Sequence, residues 1–381
     1  MLLLVFGVIN IKMLQKNRNN FYMQIKKQSR YSRIKEELDA DLFNNNWLTI
    51  DTSKLIKKTK NIPFVDVFSG AGGISLGFTE SGYKKISSVE LDPDASETIR
   101  KNFIDSIHFE KKIEDISNEE ILETHKNKKI KVLCGGPPCN GFSVAGYRNP
   151  KDPRNLYFRE FIRFLKLLKP DFFMMENVPG ILTMSEGKVK QIILQEFAEA
   201  GYPNASVRIL EAANFGVPQL RTRAIFIGNR HGLKNPYPKI LVEKENYYPI
   251  ESAIEDLAVH HRDASINHEW TRHSEDFEKR IAKVAPGKSL YDNYQDAYKR
   301  QYLNVPSMAI KENHGGTHIH PTLNRVISAR EMARLQTFPD TFIFSGTMKR
   351  AMWQVGNAVP VKLAKEIANA LKAYMSDNDI I

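Results

Sequence analysis

The sequence predicts an α/β fold in which a mostly parallel sheet carries helices on both faces, together with a smaller second domain. Short apolar runs typical of buried strands alternate with helical patterns over residues 61–228. This texture weakens over 229–320, where His, Arg, Lys, Asn, Tyr and Trp dominate, and it returns over 321–381. The alternation predicts one sheet domain built from 61–228 and 321–381, and the change of texture predicts a separate domain between them.

Composition places the 381-residue chain among globular proteins and favours a polyanionic partner. Apolar residues make up 42% of the chain and charged residues 26%, which is not typical of disordered or membrane proteins. The net charge of +11 favours nucleic acid as the partner. A basic protein that is merely soluble, without such a partner, is the alternative. Cys134 and Cys139 offer no disulfide framework and no zinc-site spacing, so we expect a reducing, cytoplasmic setting and no metal.

Residues 1–60 are expected to form a basic N-terminal extension, with 12 Lys and Arg against 5 Asp and Glu. The apolar run at residues 2–11 is too short to span a bilayer. It has no basic residue ahead of it and no small-residue cleavage site, so we expect neither a membrane segment nor a signal peptide. The extension could contact a nucleic-acid backbone, but a solvated, partly ordered arm is the commoner case.

The sheet domain begins with a strand, a glycine turn and a helix. The β-rich run 64–68 precedes Ser-Gly-Ala-Gly-Gly at 69–73, and apolar residues at Ile74, Leu76 and Phe78 follow in a helical pattern. Glycines let a ligand approach the backbone closely. This unit therefore predicts a nucleotide-binding site.

An acidic residue ends the second predicted strand, at 86–89. Glu90 lies 20 residues after Gly70, a position that suits the hydroxyls of a ribose. Asp92 then suits the N-cap of a helix with Pro93 in its first turn. The pattern fits a nicotinamide dehydrogenase as well as an S-adenosylmethionine enzyme, and the glycines do not form a full G-x-G-x-x-G.

A third acidic position follows in the run Ile-Glu-Asp-Ile at 113–116. Asp115 could accept a hydrogen bond from an adenine amino group. A surface acid that opens the following helix is an equally good interpretation.

A glycine- and proline-rich loop carries the second cysteine. The strand predicted at 130–134 ends in Gly-Gly-Pro-Pro-Cys-Asn-Gly-Phe-Ser, at the edge of the sheet where open α/β folds bind ligands. A thiol is nucleophilic as its thiolate, and unpaired loop N–H groups favour that anion at Cys139. A turn that merely contains a cysteine is the alternative. Apolar spacing then predicts a helix over 156–168.

A carboxylate and two arginines lie beside two further predicted strands. The buried strand predicted at 172–175 ends at Glu176, on the same edge of the sheet as Cys139. Arg221 and Arg223 precede a strand predicted at 224–227, and alternate strand residues point to one face, so both arginines are expected to project together. A salt-bridged edge strand is the alternative interpretation.

The closing segment regains helical character. Residues 330–336 start a helix, and Gln-Val-Gly-Asn-Ala-Val-Pro at 354–360 leads into a final one.

In this order and spacing, the motifs of residues 64–371 resemble those of the DNA (cytosine-5) methyltransferases of bacterial restriction-modification systems. The resemblance implies a class I S-adenosylmethionine-dependent methyltransferase fold with a target-recognition domain over 229–320. It implies catalytic roles for Cys139, Glu176, Arg221 and Arg223. It implies that S-adenosylmethionine binds at Asp66, Phe68, Gly70, Ala71, Gly72, Gly73, Glu90, Leu91, Asp115, Ile116, Pro138, Leu156, Asn357, Ala358 and Val359. One departure is Asn140, where most bacterial members have Gln.

The chemistry of these residue types fits that activity. C5 of cytosine is a poor nucleophile, and a thiolate that adds to C6 breaks the ring's conjugation. Glu176 can hydrogen-bond N3 and the exocyclic amine, and Arg223 can hold O2, with Arg221 positioning a loop or a phosphate. C5 then attacks the sulfonium methyl group of S-adenosylmethionine, and loss of the C5 proton expels Cys139. The base has to leave the duplex for this to occur.

The expected partners are double-stranded DNA and a cognate restriction endonuclease, for a monomeric, cytoplasmic and nucleoid-associated enzyme. A tRNA cytosine-5 methyltransferase has the same motifs, and the long polar segment favours DNA over it. An inactive DNA-binding relative is disfavoured because all four catalytic candidates are present. A nicotinamide oxidoreductase leaves the cysteine loop unexplained.

Overall fold

The computed structural model describes residues 46–53, 60–138, 156–293, 297–312 and 318–381, with Leu156 described by its backbone alone. The strands are β1 (Trp47–Ile50), β2 (Ile62–Val67), β3 (Tyr83–Glu90), β4 (Ile107–Glu110), β5 (Val132–Gly135), β6 (Phe172–Asn177), β7 (Ser206–Glu211), β8 (Thr222–Asn229), β9 (Asn235–Pro238), β10 (Lys299–Arg300) and β11 (His318–Ile319). The α-helices are α1 (Gly73–Glu80), α2 (Pro93–Asn102), α3 (Asn118–Thr124), α4 (Leu156–Leu168), α5 (Lys188–Glu199), α6 (Glu251–Ile254), α7 (Glu275–Ala282), α8 (Ala329–Leu335), α9 (Met348–Asn357) and α10 (Val361–Asp377).

A seven-stranded sheet forms the centre of the described residues, in the order β4-β3-β2-β5-β6-β8-β7. The first five strands of this order are parallel to one another, and β8 runs antiparallel to both β6 and β7. The expected α/β class with a mostly parallel sheet is therefore confirmed. The reversal of β8 was not predicted. It brings the amino end of β8 to the edge where the parallel strands end.

Both faces of the sheet are buried, because helices cover each side. Adjacent strand residues belong to opposite cores: Phe173 faces α4 and α5, whereas Phe172 faces the side where α10 packs against α1. Strands buried on both faces are continuous apolar runs, which is the pattern the sequence shows.

Several local predictions are confirmed. Helix α4 spans the predicted residues. The Asp92 side chain caps α2 by accepting a hydrogen bond from the Ala95 N–H at 2.9 Å, and Pro93 is the first helical residue. Helix α8 begins one residue earlier than predicted. Helix α9 includes residues 354–357 of the segment 354–360. The cofactor residues expected there, Asn357, Ala358 and Val359, therefore lie at the C-terminal end of this helix.

The expected domain boundaries at residues 60 and 228 divide a single structural unit. Strand β1, from the expected extension, pairs in parallel with β9, from the expected second domain. Tyr237 of β9 is buried in the core beside α10, and its hydroxyl donates to the carbonyl of Ser206 at 2.9 Å. The guanidinium of Arg208 stacks over the ring of Trp47 at 3.7 Å. This small sheet therefore belongs to the sheet domain.

A smaller hydrophobic cluster lies within the polar segment. Ile281 and Val284 pack with Ile319, beside the partly buried rings of Phe277 and Tyr298. Residues 251–254, by contrast, pack against α8 and α9 in the core of the closing segment. The independent core of the polar segment therefore starts later than residue 229.

Cys134 lies at the centre of the sheet on β5, fully buried in an apolar core, as the sequence predicts. Burial raises the pKa of this thiol well above its usual value, and the nearby Asp66 carboxylate adds to the effect. The thiol therefore stays protonated and unreactive.

We expect Cys134→Ala to lower the free energy of unfolding by about 1 kcal/mol, because it removes one well-packed atom. Cys134→Ser should lower it further, because the hydroxyl would be buried among apolar side chains. Urea denaturation of both variants measures the difference. An alanine variant as stable as the parent would contradict close packing at this position.

Candidate active site

The loop between β2 and α1 forms one wall of the candidate site. Gly70 and Gly72 take positive φ angles of 51° and 91°. A Cβ on Gly73 would lie 2.3 Å from the carbonyl oxygen of Val359, so only glycine fits there. This contact places residues 354–360 directly beside the glycine loop.

Glu90 is locked to that loop. Its Oε2 accepts from the Gly70 N–H at 2.8 Å, and its Oε1 accepts from the N–H groups of Leu91 and Asp92 at 2.9 Å. Burial raises the pKa of this carboxyl, and the three backbone donors oppose the rise. The next side chain, Leu91, is 53% exposed. An anchored carboxylate beside an exposed apolar side chain suits a ribose joined to a flat base.

A cation from α9 holds the chain that follows Glu90. The Arg350 guanidinium pairs with the carboxylate of Asp92 and, at 2.7 Å, with that of Asp94. It also stacks over the ring of Trp353 at 4.6 Å. Sequence reasoning missed this contact, because the partners are far apart along the chain.

Several of the expected cofactor residues, Asp66 and Ile116 among them, have their side chains in the interior. Asp66 is fully buried, and its Oδ2 accepts from the Ser75 hydroxyl at 2.6 Å, which ties β2 to α1. Burial raises the pKa of Asp66 to about 6. Ile116 is 1% exposed and packs in the core, whereas the neighbouring Asp115 is exposed. A direct side-chain contact with a cofactor is therefore open to Asp115 but not to Ile116.

Glu176 and Arg223 form an ion pair at the carboxyl edge of the sheet. Arg223 Nε lies 2.5 Å from Glu176 Oε1, and the two side chains are 13% and 14% exposed. Strands β6 and β8 are neighbours, so the pairing follows from the sheet topology. The sequence predicted both residues, and the structure brings them together.

The start of the cysteine loop is fixed beside this pair. The Asn177 amide donates to the carbonyl of Pro137 at 2.9 Å, and a Cβ on Gly136 would lie 3.1 Å from Glu176 Oε2. Pro138 is exposed. Cys139 lies outside the described residues, as does the side chain of Leu156. The last described residues before Cys139 are thus adjacent to the Glu176 carboxylate.

Arg221 differs from its expected placement. Strand β8 begins at Thr222, so strand alternation does not align Arg221 with Arg223. Instead its guanidinium donates to the carbonyls of Ile310 at 2.6 Å, Gly356 at 2.8 Å and Ala358 at 3.0 Å. The side chain is buried, which lowers the pKa of Arg221. It holds backbone carbonyls rather than a phosphate.

A second carboxylate, Glu211 at the end of β7, was missed by sequence reasoning. Its Oε1 accepts from the Arg221 N–H at 2.6 Å and from the Ala213 N–H at 3.4 Å. Its Oε2 accepts from the Thr222 hydroxyl at 3.3 Å. Burial raises the pKa of Glu211, and these donors oppose the rise. The one available signal was an acid at the end of an apolar strand.

A cleft of about 870 Å³ opens beside the Glu176–Arg223 pair. Val178, Leu210 and Arg223 line it, together with residues 299–302, 306, 308 and 309. Arg208, Lys239 and Lys299 give it positive charge. A basic cleft with a buried ion pair at its edge suits a polyanion that presents one polar group to the pair.

Within the described ranges, no helix is long and apolar enough to cross a membrane. No group of three or more His, Cys, Asp or Glu residues in the described part of the chain is arranged to hold a metal ion.

The mostly parallel sheet, the glycine loop after β2, the acidic residue that ends β3 and the polar pair at the carboxyl edge define a class I methyltransferase fold. The family model of the C-5 cytosine-specific DNA methylases matches residues 62–373. The chain belongs to this family, and its activity is that of a DNA cytosine-5 methyltransferase. The nicotinamide oxidoreductase interpretation is thereby excluded.

Two relatives and two solved structures illustrate the similarity. The chain is 36% identical over 338 residues to the type II methyltransferase M1.HphI of Haemophilus parahaemolyticus, covering 84% of this chain and 89% of that one. It is 33% identical over 383 residues to M.DdeI of Desulfomicrobium norvegicum, covering 83% and 90%. A protein of an E. coli prophage, described as a DNA modification methyltransferase, superposes with a TM-score of 0.68 at 27% identity, covering 84% and 100%. A DNMT2 variant of Spodoptera frugiperda shares the fold, with a TM-score of 0.60 at 18% identity, covering 81% and 99%.

We expect Glu211→Leu to lower the free energy of unfolding by about 2–4 kcal/mol, because it leaves the Arg221 and Ala213 N–H groups without an acceptor. Glu211→Gln keeps an amide oxygen for those donors and should lose less than about 1 kcal/mol. Urea denaturation at neutral pH compares the two. Equal losses would show that the charge, and not the acceptor, holds this turn.

Proposed function

We propose that the enzyme transfers a methyl group from S-adenosylmethionine to C5 of a cytosine flipped out of double-stranded DNA, through a covalent bond between Cys139 and C6. The observation that carries this proposal is the Glu176–Arg223 pair beside the fixed start of the Cys139 loop. A carboxylate, a guanidinium and a thiolate are the groups that activation of a cytosine ring requires, and the first two lie at the sheet edge where the described part of the cysteine loop begins.

The residues of the β2–α1 loop fit S-adenosylmethionine. Gly70 and Gly72 open the backbone, Glu90 offers carboxylate oxygens to a ribose, and Leu91 offers an apolar surface to an adenine. Asp115 and Asn357 are exposed polar residues that would bind the adenine amine and the amino-acid end. Asp66 Oδ1 is buried without a hydrogen-bond partner in the described part of the chain. When bound, the cofactor supplies an electrophilic methyl group.

The chain's own residues then act on the base. The Cys139 thiolate adds to C6, and the electron pair of the C5–C6 bond moves toward C5 and N3. Glu176 in its protonated form donates its proton or a hydrogen bond to N3, which limits the negative charge on the ring. In Arg223, Nε faces Glu176 and Nη1 donates to the Thr222 carbonyl. The remaining N–H groups of the guanidinium are the ones that hold O2. After C5 has gained the methyl group, a base removes the C5 proton and the C–S bond breaks.

The names of the type II relatives support a biological role as a modification enzyme that protects DNA from a cognate restriction endonuclease. A monomer in the cytoplasm, associated with the nucleoid, suits this role.

Residues 229–320 are proposed to recognise the target sequence. This segment has an independent core around Ile281 and Val284. It supplies Lys299 and Tyr302 to the lining of the basic cleft, which Arg223 also lines. Base-edge contacts would come from its polar side chains.

Exchange of residues 270–320, the part of this segment that contains the independent core, with the matching segment of a relative of different specificity should move the methylated site, because Arg223 and Glu176 stay in place. Bisulfite sequencing of plasmid DNA from cells that express the chimera reads the site. An active chimera that keeps the parent's site would contradict this assignment.

A duplex with 5-fluorocytosine at the target position tests the covalent step. Cys139 should attack C6 and C5 should gain the methyl group, but fluorine cannot leave C5 as a cation. We expect an adduct that survives denaturing electrophoresis, forms only with S-adenosylmethionine and maps to Cys139 by mass spectrometry. Cys139→Ala should form none while still binding the cofactor, and Cys134→Ala should form it normally.

The outcomes separate the alternatives. Trapping of fluorinated tRNA but of no fluorinated duplex would establish the RNA enzyme instead. Trapping of neither by a cofactor-loaded protein would exclude covalent cytosine-5 chemistry.

A further inference from the structure

The C-terminal end of α9 lacks the usual glycine cap and is held by two buried side chains. The last carbonyls of any α-helix need partners from outside the helix. Here the Gly356 and Ala358 carbonyls accept from Arg221 at 2.8 and 3.0 Å. The Val355 and Ala358 carbonyls accept from the Gln336 amide at 3.0 and 3.2 Å. The path of the chain through Asn357–Val359 therefore depends on Arg221 and Gln336.

The same segment also touches the glycine loop. The Val359 carbonyl lies where a Cβ of Gly73 would collide with it, so the two backbones are in direct contact. This contact and the Arg221 hydrogen bonds both fix the position of the segment. Asn357 lies between these two constraints and is exposed.

We infer that Arg221 is a positioning residue for the S-adenosylmethionine site: it holds Asn357–Val359 at the glycine loop and does not contact the flipped base. This inference rests on the proposed cofactor. Arg221 lies two residues before Arg223 in the same short segment. Arg221 holds the cofactor segment, and Arg223 holds the Glu176 carboxylate.

The geometry requires a guanidinium. Nη1 of Arg221 donates to Ile310, and Nη2 donates to Gly356 and Ala358. A lysine ammonium has all its donors on one atom, so it cannot hold the two sides of this fork together. Arg221→Lys keeps the positive charge and should release the carbonyls on one side.

The test measures binding of S-adenosylmethionine by isothermal titration calorimetry to the full chain without DNA. We expect Arg221→Lys to weaken this binding about tenfold or more, because charge-assisted hydrogen bonds to the segment are lost. The kcat at saturating cofactor should fall much less than the affinity does. Arg223→Lys should show the reverse pattern, with cofactor affinity within about twofold of the parent and kcat strongly reduced.

Arg330 offers a matched control for general destabilisation. It is fully buried and donates to three carbonyls, those of Ile266 at 2.6 Å, Pro339 at 3.1 Å and Phe342 at 2.8 Å. None of these belongs to the cofactor segment. Arg330→Lys should lower the melting temperature while leaving cofactor affinity within about twofold of the parent.

Two results would overturn the inference: Arg221→Lys that binds the cofactor as the parent does, or an equal loss of affinity in Arg330→Lys. If Arg221→Lys does not fold, Gln336→Met removes the amide donors to Val355 and Ala358, together with the oxygen that accepts from the Gln219 amide, and should still weaken cofactor binding severalfold. Unchanged affinity there would equally refute the inference. A parent protein that binds no S-adenosylmethionine would refute the proposed function instead.

Discussion

The reversal of β8 is the constraint on which the site depends. In an all-parallel sheet, the amino end of a strand next to β6 would lie at the edge remote from the ligands. Because β8 runs antiparallel, its first residues meet the last residues of β6, and Arg223 reaches Glu176. The following strand in the sheet, β7, ends at the same edge and supplies Glu211. One reversed strand thus brings two acids and two arginines together.

Much of the fold was predictable because its strands are continuous apolar runs and its turns carry glycine, proline and capping residues. Helix α4 and the Asp92 cap follow directly from local sequence. Glu176 and Arg223 were predictable as well, since each lies at the end of a recognisable strand. These are properties of short segments, which a linear pattern records.

Other features depend on contacts between distant segments, and local patterns do not record those. Arg221 and Arg223 look equivalent in the sequence, yet a strand that starts between them sends one to the carbonyls of Gly356 and Ala358. Likewise, Trp47 and Tyr237 gave no sign of belonging together, although β1 and β9 pair and complete the core. Asp66 looked like a ligand residue because it lies in the first motif, but strand alternation turns it toward Ser75.

The contact of α10 with α1 bears on how the enzyme is made. Tyr83 donates to the carbonyl of Ala368 at 3.0 Å across 285 residues of chain, and Gly77 lies against the backbone of Val361 and Lys365. Synthesis proceeds at about 5–20 residues per second, so the apolar face of α1 stays exposed for many seconds before α10 can pack against it. The nascent chain has no closed pocket until α10 has left the ribosome. DNA modification by this enzyme consequently begins only after α10 has been released.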